Sequence, residues 1–244
     1  MAGGITTKPW RVVVPLREAI RAASPRPPED TASQAEKKNY SERLSNEVAK
    51  VLAERLRQLG VKDCQPGPEG GKERQFAGGL GAKKVDVSFA TESDGLILGI
   101  SVKSICFPDG KTKNYAKNLT NRRGDLLSES TTLHQRFPFA VLGALFLFPT
   151  GAERDGTDRR PSTVQRAHEM FRGVLDRKDR ANAYEKYEAM GIVVFDDKSN
   201  AYKYRRVGSE AAASLDEFLR QLLEKVVERN PDHYHLVNGK LTRT

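Results

Sequence analysis

Cysteine is scarce in this chain: Cys64 and Cys106 are the only two among 244 residues. They build no disulfide framework and show no zinc-ligand spacing, so a stapled secreted scaffold and a zinc module are both set aside, and a reducing compartment is expected. Long apolar runs are also missing. The longest, Phe137 to Pro149, falls short of the roughly 20 residues a membrane span needs and reads as a buried strand. The first residues, MAGGITTKPWRVVVPLREAI, lack the apolar block of a secretory signal, so a cytoplasmic location without a membrane partner is expected. Acidic side chains are in deficit, 32 against 41 Lys and Arg, for a net charge of +9. Such a surplus bears on partners rather than on fold. Its usual polyanionic partner is nucleic acid, with plain solubility as the alternative.

What is present suits a polar globular chain long enough to bury a core. Residues 1–38 read as an N-terminal arm, with an apolar patch from Trp10 to Leu16 and an unstructured, proline-rich stretch SPRPPEDTASQAEKK. From Asn39, Leu44, Val48, Val51, Leu52, Leu56 and Leu59 recur at helical spacing, and Gly60 ends the run. Residues 61–82 are glycine-rich and loop-like. Their GGLG precedes a strand, whereas a phosphate-cradling loop follows one, so it reads as a flexible turn. A strand pair over 85–104 comes next, then a basic stretch and a helix from about Asn121 to Gln135. Phe139 to Phe148 has no polar alternation and predicts a central strand covered on both faces. Beyond it, helices are expected near 162–178 and 180–190, then a strand pair in IVVFDDKSNAYKYRR. A last helix runs from Ser214 to Arg229, opened by the capping pattern Ser214-x-x-Glu217. No internal repeat is seen. The expectation is an α/β fold with a central mixed β-sheet flanked by helices, a core over 39–150, and a C-terminal α/β extension over 151–244 used for recognition or dimerisation.

The strand pair VDVSFATESDGLILGISVKS has a testable register. Strand side chains alternate faces, so Val85, Val87 and Phe89 oppose Asp86 and Ser88, and Leu98, Ile100 and Val102 oppose Ser101 and Lys103. Burying both apolar faces pairs Phe89 with Leu98, Val87 with Ile100 and Val85 with Val102 across a loop from Glu92 to Gly95. Asp86 then lies across from Ser101, roughly 5 Å away, with Lys103 on the diagonal at about 7–8 Å.

This arrangement resembles the PD-(D/E)XK nuclease superfamily, which includes many type II restriction endonucleases. The resemblance covers roughly residues 40–148. In that family an aspartate and a following acid bind Mg²⁺, or Mn²⁺ in its place, and the lysine contacts the attacking water or the scissile phosphate. Here serine stands at the acid position, as in a branch with S-x-K on the second strand and a glutamate migrated to the following helix. The matching residues are Ser101, Val102 and Lys103, then Arg122, Leu127 and Glu129. Helical steps of three and four place Arg122, Leu126, Glu129 and Leu133 on one stripe. The spacing from Lys103 to Glu129 is longer than is common in one subgroup, which leaves Asp125 as a rival ligand. The family also often carries a glutamate on the helix before the strands. Glu47, between Leu44 and Val51, fits that position, and a solvated surface residue is the alternative.

The resemblance thus implies a Mg²⁺-dependent DNA endonuclease of restriction or phage-defence type, with Asp86, Glu129 and Glu47 on the metal and Lys103 and Ser101 beside them. A catalytically silent DNA-binding protein on the same fold is the competing expectation. Lys111, Lys113, Lys117, Arg122 and Arg123 are candidates for tracking a DNA backbone, or else an ordinary solvated loop. A homodimer is compatible with all of this. His134 reads as a helix-end cation, Asp232-His233-Tyr234-His235 as a surface tail, and Ser128 and Ser130 lack the context of a nucleophilic serine.

Overall fold

The computed structural model describes residues 16–23, 27–29, 31–69, 73–181, 183–196, 198–199, 201–209, 211 and 213–244. The expected Trp10–Leu16 patch, apart from Leu16, lies outside them. Helix α1 (Leu16–Ala23) buries Leu16, Ala19, Ile20 and Ala23 and packs on α2 (Gln34–Gln58). Part of the expected arm is therefore a packed helix. Helix α2 begins at Gln34 rather than Asn39 because Ser33 and Glu36 cap it reciprocally: Ser33 Oγ accepts the Glu36 N–H at 3.2 Å, and the Glu36 carboxylate accepts the Ser33 N–H at 2.9 Å. It ends where Gly60 adopts φ +97°, and a Cβ there would lie 2.3 Å from the Leu241 carbonyl oxygen.

The stretch over 61–82 is not all loop. Strands β1 (Arg74–Gly78) and β2 (Gly81–Val85) form an antiparallel ribbon turning at Gly79 and Leu80. The chain continues as β3 (Val87–Thr91), β4 (Gly95–Ser104), α3 (Leu119–Arg136) and β5 (Val141–Pro149). The ribbon stays outside the main sheet and leans on α3, where the Gly79 N–H donates to the Thr132 carbonyl at 2.9 Å and Phe76 is buried. It carries too few apolar residues to announce itself, and α3 supplies the missing cover.

After a short α4 (Thr150–Arg154) and α5 (Thr163–Arg172), β6 (Ala189–Phe195), β7 (Tyr202–Arg206) and α6 (Leu215–Arg229) follow. The five-stranded mixed sheet has the order β3-β4-β5-β6-β7, parallel across β4/β5 and β5/β6 and antiparallel at both edges. Helices α1, α2 and α6 cover one face, and α3, α4 and α5 the other, giving one apolar core on each side. Strand β5 is central, and Val141 to Phe148 are all buried, as expected of an unalternating apolar run. The Ser214–Glu217 box caps α6.

Two expectations fail after β5. Helix α5 stops at Arg172 rather than near 178, and 180–190 is not a helix. Tyr187 instead bridges to Leu175, Ala183 takes φ +53°, and β6 begins at Ala189. The interior positions demanded of Tyr187 and Glu188 override the helical propensity of AYEKYEAM. Beyond residue 150, β6 and β7 complete the sheet, and α6 packs on β5 and β6. The C-terminal tail forms a hairpin, β8 (Tyr234–Val237) with β9 (Lys240–Arg243), whose Tyr234 ring meets Phe89 edge-on at 5.9 Å. Among the described residues no helix is long and apolar enough to cross a membrane.

Candidate active site

The site begins where two strands part. Val85 pairs with Arg74 in the ribbon and Val87 with Ile100 in the sheet, so Asp86 belongs to neither ladder. The Val87–Ile100 and Phe89–Leu98 pairs match the expected register. The expected Val85–Val102 pair does not form, because the chain has already turned into the ribbon. Asp86 takes the place of that missing strand partner: its Oδ2 accepts the Val102 N–H at 2.6 Å. At the other end, an irregularity between Phe89 and Ala90 pairs Thr91 with Gly95, so the loop is one residue shorter than expected.

Ser101 and Lys103 face the α3 side of β4, opposite Ile100 and Val102, and Ser101 lies beside the small Ala144 of β5. This leaves room for α3 to lower a carboxylate. Glu129, 6% exposed, accepts a hydrogen bond from Ser101 Oγ through Oε1. Lys103 Nζ stands between the two acids, 3.6 Å from Glu129 Oε2 and 3.8 Å from Asp86 Oδ2. Asp125 points elsewhere: its side chain is 57% exposed and pairs with Arg122 at 3.4 Å. Helical spacing left the two acids unresolved, and packing separates them by putting Glu129 against the sheet.

Burial is the largest influence on Asp86. Lys103 and the Val102 N–H pull against it, and Glu129 and Glu73 add like-charge repulsion, leaving the carboxyl pushed up to about 6. Burial also opposes the charge on Lys103. Glu129 and Asp86 outweigh it, so the ammonium is held above its ordinary value and stays charged at neutral pH.

Asp86 and Lys103 open onto a cleft of about 860 Å³, bordered by Lys37 and Lys38 of α2 and by Lys117 and Arg122. Lys117 pairs with Asp109 at 2.8 Å across the cleft wall. Lys111 and Lys113 are exposed on the turn organised by Asp109, and Arg123 is exposed on α3, with none of the three lining the cleft. Glu47 does not join the cluster. Its carboxylate pairs with Lys50 at 2.7 Å on the shoulder of α2, while Ser41, Glu42, Ser45 and Asn46 of that helix line the cleft instead. The acid that does approach Asp86 is Glu73, which pairs with Lys84 at 3.7 Å, lines the same cleft and is singled out by no strand or helix period. Extending the ribbon register by one residue beyond Arg74–Val85 sets Glu73 opposite Asp86, so recognising GGLG as a hairpin turn would have found it.

Magnesium commonly takes one or two protein carboxylates and fills its remaining positions with water and phosphate. Asp86 and Glu129, converging on one ammonium, fit that donor set, and the described residues hold no group of three or more His, Cys, Asp or Glu able to bind a metal. His134 stands in the last turn of α3, as expected, but is fully buried, with Nδ1 2.9 Å from the Tyr184 carbonyl and Nε2 3.7 Å from Glu188. Comparison with family models, curated proteins and solved structures finds no match to this chain.

Proposed function

We propose that the chain is a metal-dependent nuclease that hydrolyses DNA phosphodiester bonds, of the restriction or phage-defence type implied by its resemblance to the S-x-K branch of the PD-(D/E)XK superfamily. One observation carries the reading: Asp86 from a strand junction and Glu129 from α3 meet the Lys103 ammonium of β4 beside a cleft, with Ser101 of β4 bonded to Glu129. A serine at the acid position favours a silent DNA-binding protein. Against it, Glu129 keeps a buried carboxylate aimed at the gap that serine leaves.

In this reading Asp86 and Glu129 would hold Mg²⁺, and the ion would supply Lewis-acid polarisation of a phosphoryl oxygen and a lowered pKa for its water. Lys103 orients the attacking water and offsets the charge that develops on the phosphate. Lys37, Lys38, Lys117 and Arg122 border the cleft and supply contacts to the DNA backbone, which carry no sequence information by themselves.

The test is incubation of supercoiled plasmid and phage DNA with the protein in Mg²⁺, Mn²⁺ or EDTA, beside Lys103→Ala and Glu129→Ala. Metal-dependent cleavage lost in both variants supports the assignment. Salt-sensitive binding without cleavage of any DNA favours the silent binder.

A further inference from the structure

The β1–β2 ribbon stands outside the main sheet, and strand alternation divides its side chains between two faces. One face belongs to α3. Phe76 is buried there, its register partner Lys83 donates to Ser128 Oγ of α3 at 2.9 Å, and Val85 joins the same apolar core. The other face carries Gln75 paired with Lys84 and Ala77 paired with Ala82, and all four are exposed.

That outer face continues the floor of the cleft. Alternation places Glu73, Gln75 and Ala77 on it along β1, and Asp86, Lys84 and Ala82 along β2. Glu73 and Asp86 line the cleft, so the same row passes from the site out along the ribbon. Lys84 Nζ, 3.7 Å from the Glu73 carboxylate, marks the crossing point.

The chemistry of the outer face suits a DNA groove. From Arg74 to Lys84 the ribbon holds the cations Arg74, Lys83 and Lys84 and no acid, which complements a polyanion. A two-stranded β-ribbon fits the major groove, about 12 Å wide, where glutamine pairs with adenine, lysine with guanine, and alanine meets the thymine methyl. Gln75, Lys84, Ala77 and Ala82 belong to that set. The tip is slim and apolar: Leu80 is 67% exposed, and Gly81 takes φ +125° with open space where a Cβ would stand. Strands of this length, five residues each, reach roughly 17 Å, about half a turn of duplex.

We propose that the β1–β2 ribbon lies in the major groove of duplex DNA seated in the cleft and reads base edges through Gln75 and Lys84. The exposed Lys84–Glu73 pair is weak enough for the ammonium to exchange its carboxylate for a guanine edge. The inference rests on the nuclease reading, which supplies DNA as the occupant of the cleft.

The test is selection of bound duplexes from a random-sequence DNA library by the full chain, in EDTA and again in Ca²⁺, so that the readout is binding rather than cleavage. Wild type is compared with Gln75→Ala, Lys84→Ala and Leu80→Ser, with thermal melting to confirm folding and sedimentation to report oligomeric state. Wild type is expected to enrich a motif. Gln75→Ala and Lys84→Ala should each lose about 10-fold of discrimination at one or two neighbouring positions and keep the rest. An unchanged motif in both variants overturns the inference, and so does a uniform loss of affinity with the motif intact, which would make the ribbon a backbone clamp. No motif from wild type in either condition overturns it as well. A wild-type dimer that Leu80→Ser dissociates assigns the ribbon to a second copy of the chain instead. A ribbon-dependent motif beside plasmid that is never cut strikes the nuclease reading and supports the ribbon, so the two failures are told apart.

Discussion

Ser101 and Glu129 stand 28 positions apart, on a strand and a helix, and share a hydrogen bond in the interior. A serine where a carboxylate would be expected and a helical glutamate in a buried setting are each odd alone. Together they complete one another, since the small side chain makes the space that the carboxylate fills. Lys103 then joins Glu129 to Asp86, which reaches the same point from the strand junction.

Asp86→Asn should raise stability in EDTA at neutral pH. The folded carboxyl titrates near 6 against an ordinary 3.8, so between those values the folded state keeps a proton the unfolded chain has released. That stabilising contribution is complete below about 3.8 and is lost as pH rises through about 6. Above this the ionised, buried group costs the fold on the order of 1–3 kcal/mol. Thermal melts in EDTA should show the variant above wild type at pH 8, with the gap closing toward pH 4. Equal melting at both ends would contradict the burial.

Glu47→Ala should leave Mn²⁺ affinity unchanged and cost roughly 0.5 kcal/mol or less, the worth of its exposed pair with Lys50. Glu73→Gln should behave differently, removing a like charge from beside Asp86 and letting that carboxyl ionise at lower pH. Carboxyl-carbon NMR in EDTA follows this directly, and an unmoved Asp86 resonance would place Glu73 too far away to matter.

Removing the Glu188 carboxylate, as Glu188→Ala, leaves Arg177 and Arg229 buried without their counter-ion. Stability should fall by about 3–5 kcal/mol in urea unfolding. A loss near that of Glu47→Ala would mean the cluster is hydrated rather than dry.

Asp155→Ala should loosen the cleft wall. The Asp155 carboxylate accepts the Tyr115 N–H at 3.0 Å and the Thr163 N–H at 2.7 Å, tying the segment before α3 to the start of α5. Its loss should cost about 1–3 kcal/mol and speed amide exchange at Tyr115 through Asn118. DNA affinity measured in EDTA should fall as Lys117 loses its mounting. Unchanged exchange at those amides would show that the segment is held elsewhere.

Much of the sheet is legible locally. Alternation in VDVSF and LGISV is enough to pair Val87 with Ile100 and to bring Asp86 and Lys103 to one side, because a one-residue slip would turn both apolar faces outward. The unbroken apolar run over β5 announces its central place, and the Ser214–Glu217 box marks the start of α6. The ribbon was not legible, since its strands are polar and depend on α3 for cover. Nor was the 180–190 segment, whose helical composition yields to interior sites for Tyr187 and Glu188.

By itself, then, the sequence determines which faces of β3 and β4 are apolar and which stripe of α3 meets the sheet, because these follow from the periods of strand and helix. Only the tertiary structure decides that Glu129 rather than Asp125 reaches Ser101 and that Glu47 stays outside while Glu73 approaches Asp86. Those outcomes depend on the rotation and height of one element over another, which packing between residues far apart in the chain sets and no local pattern encodes.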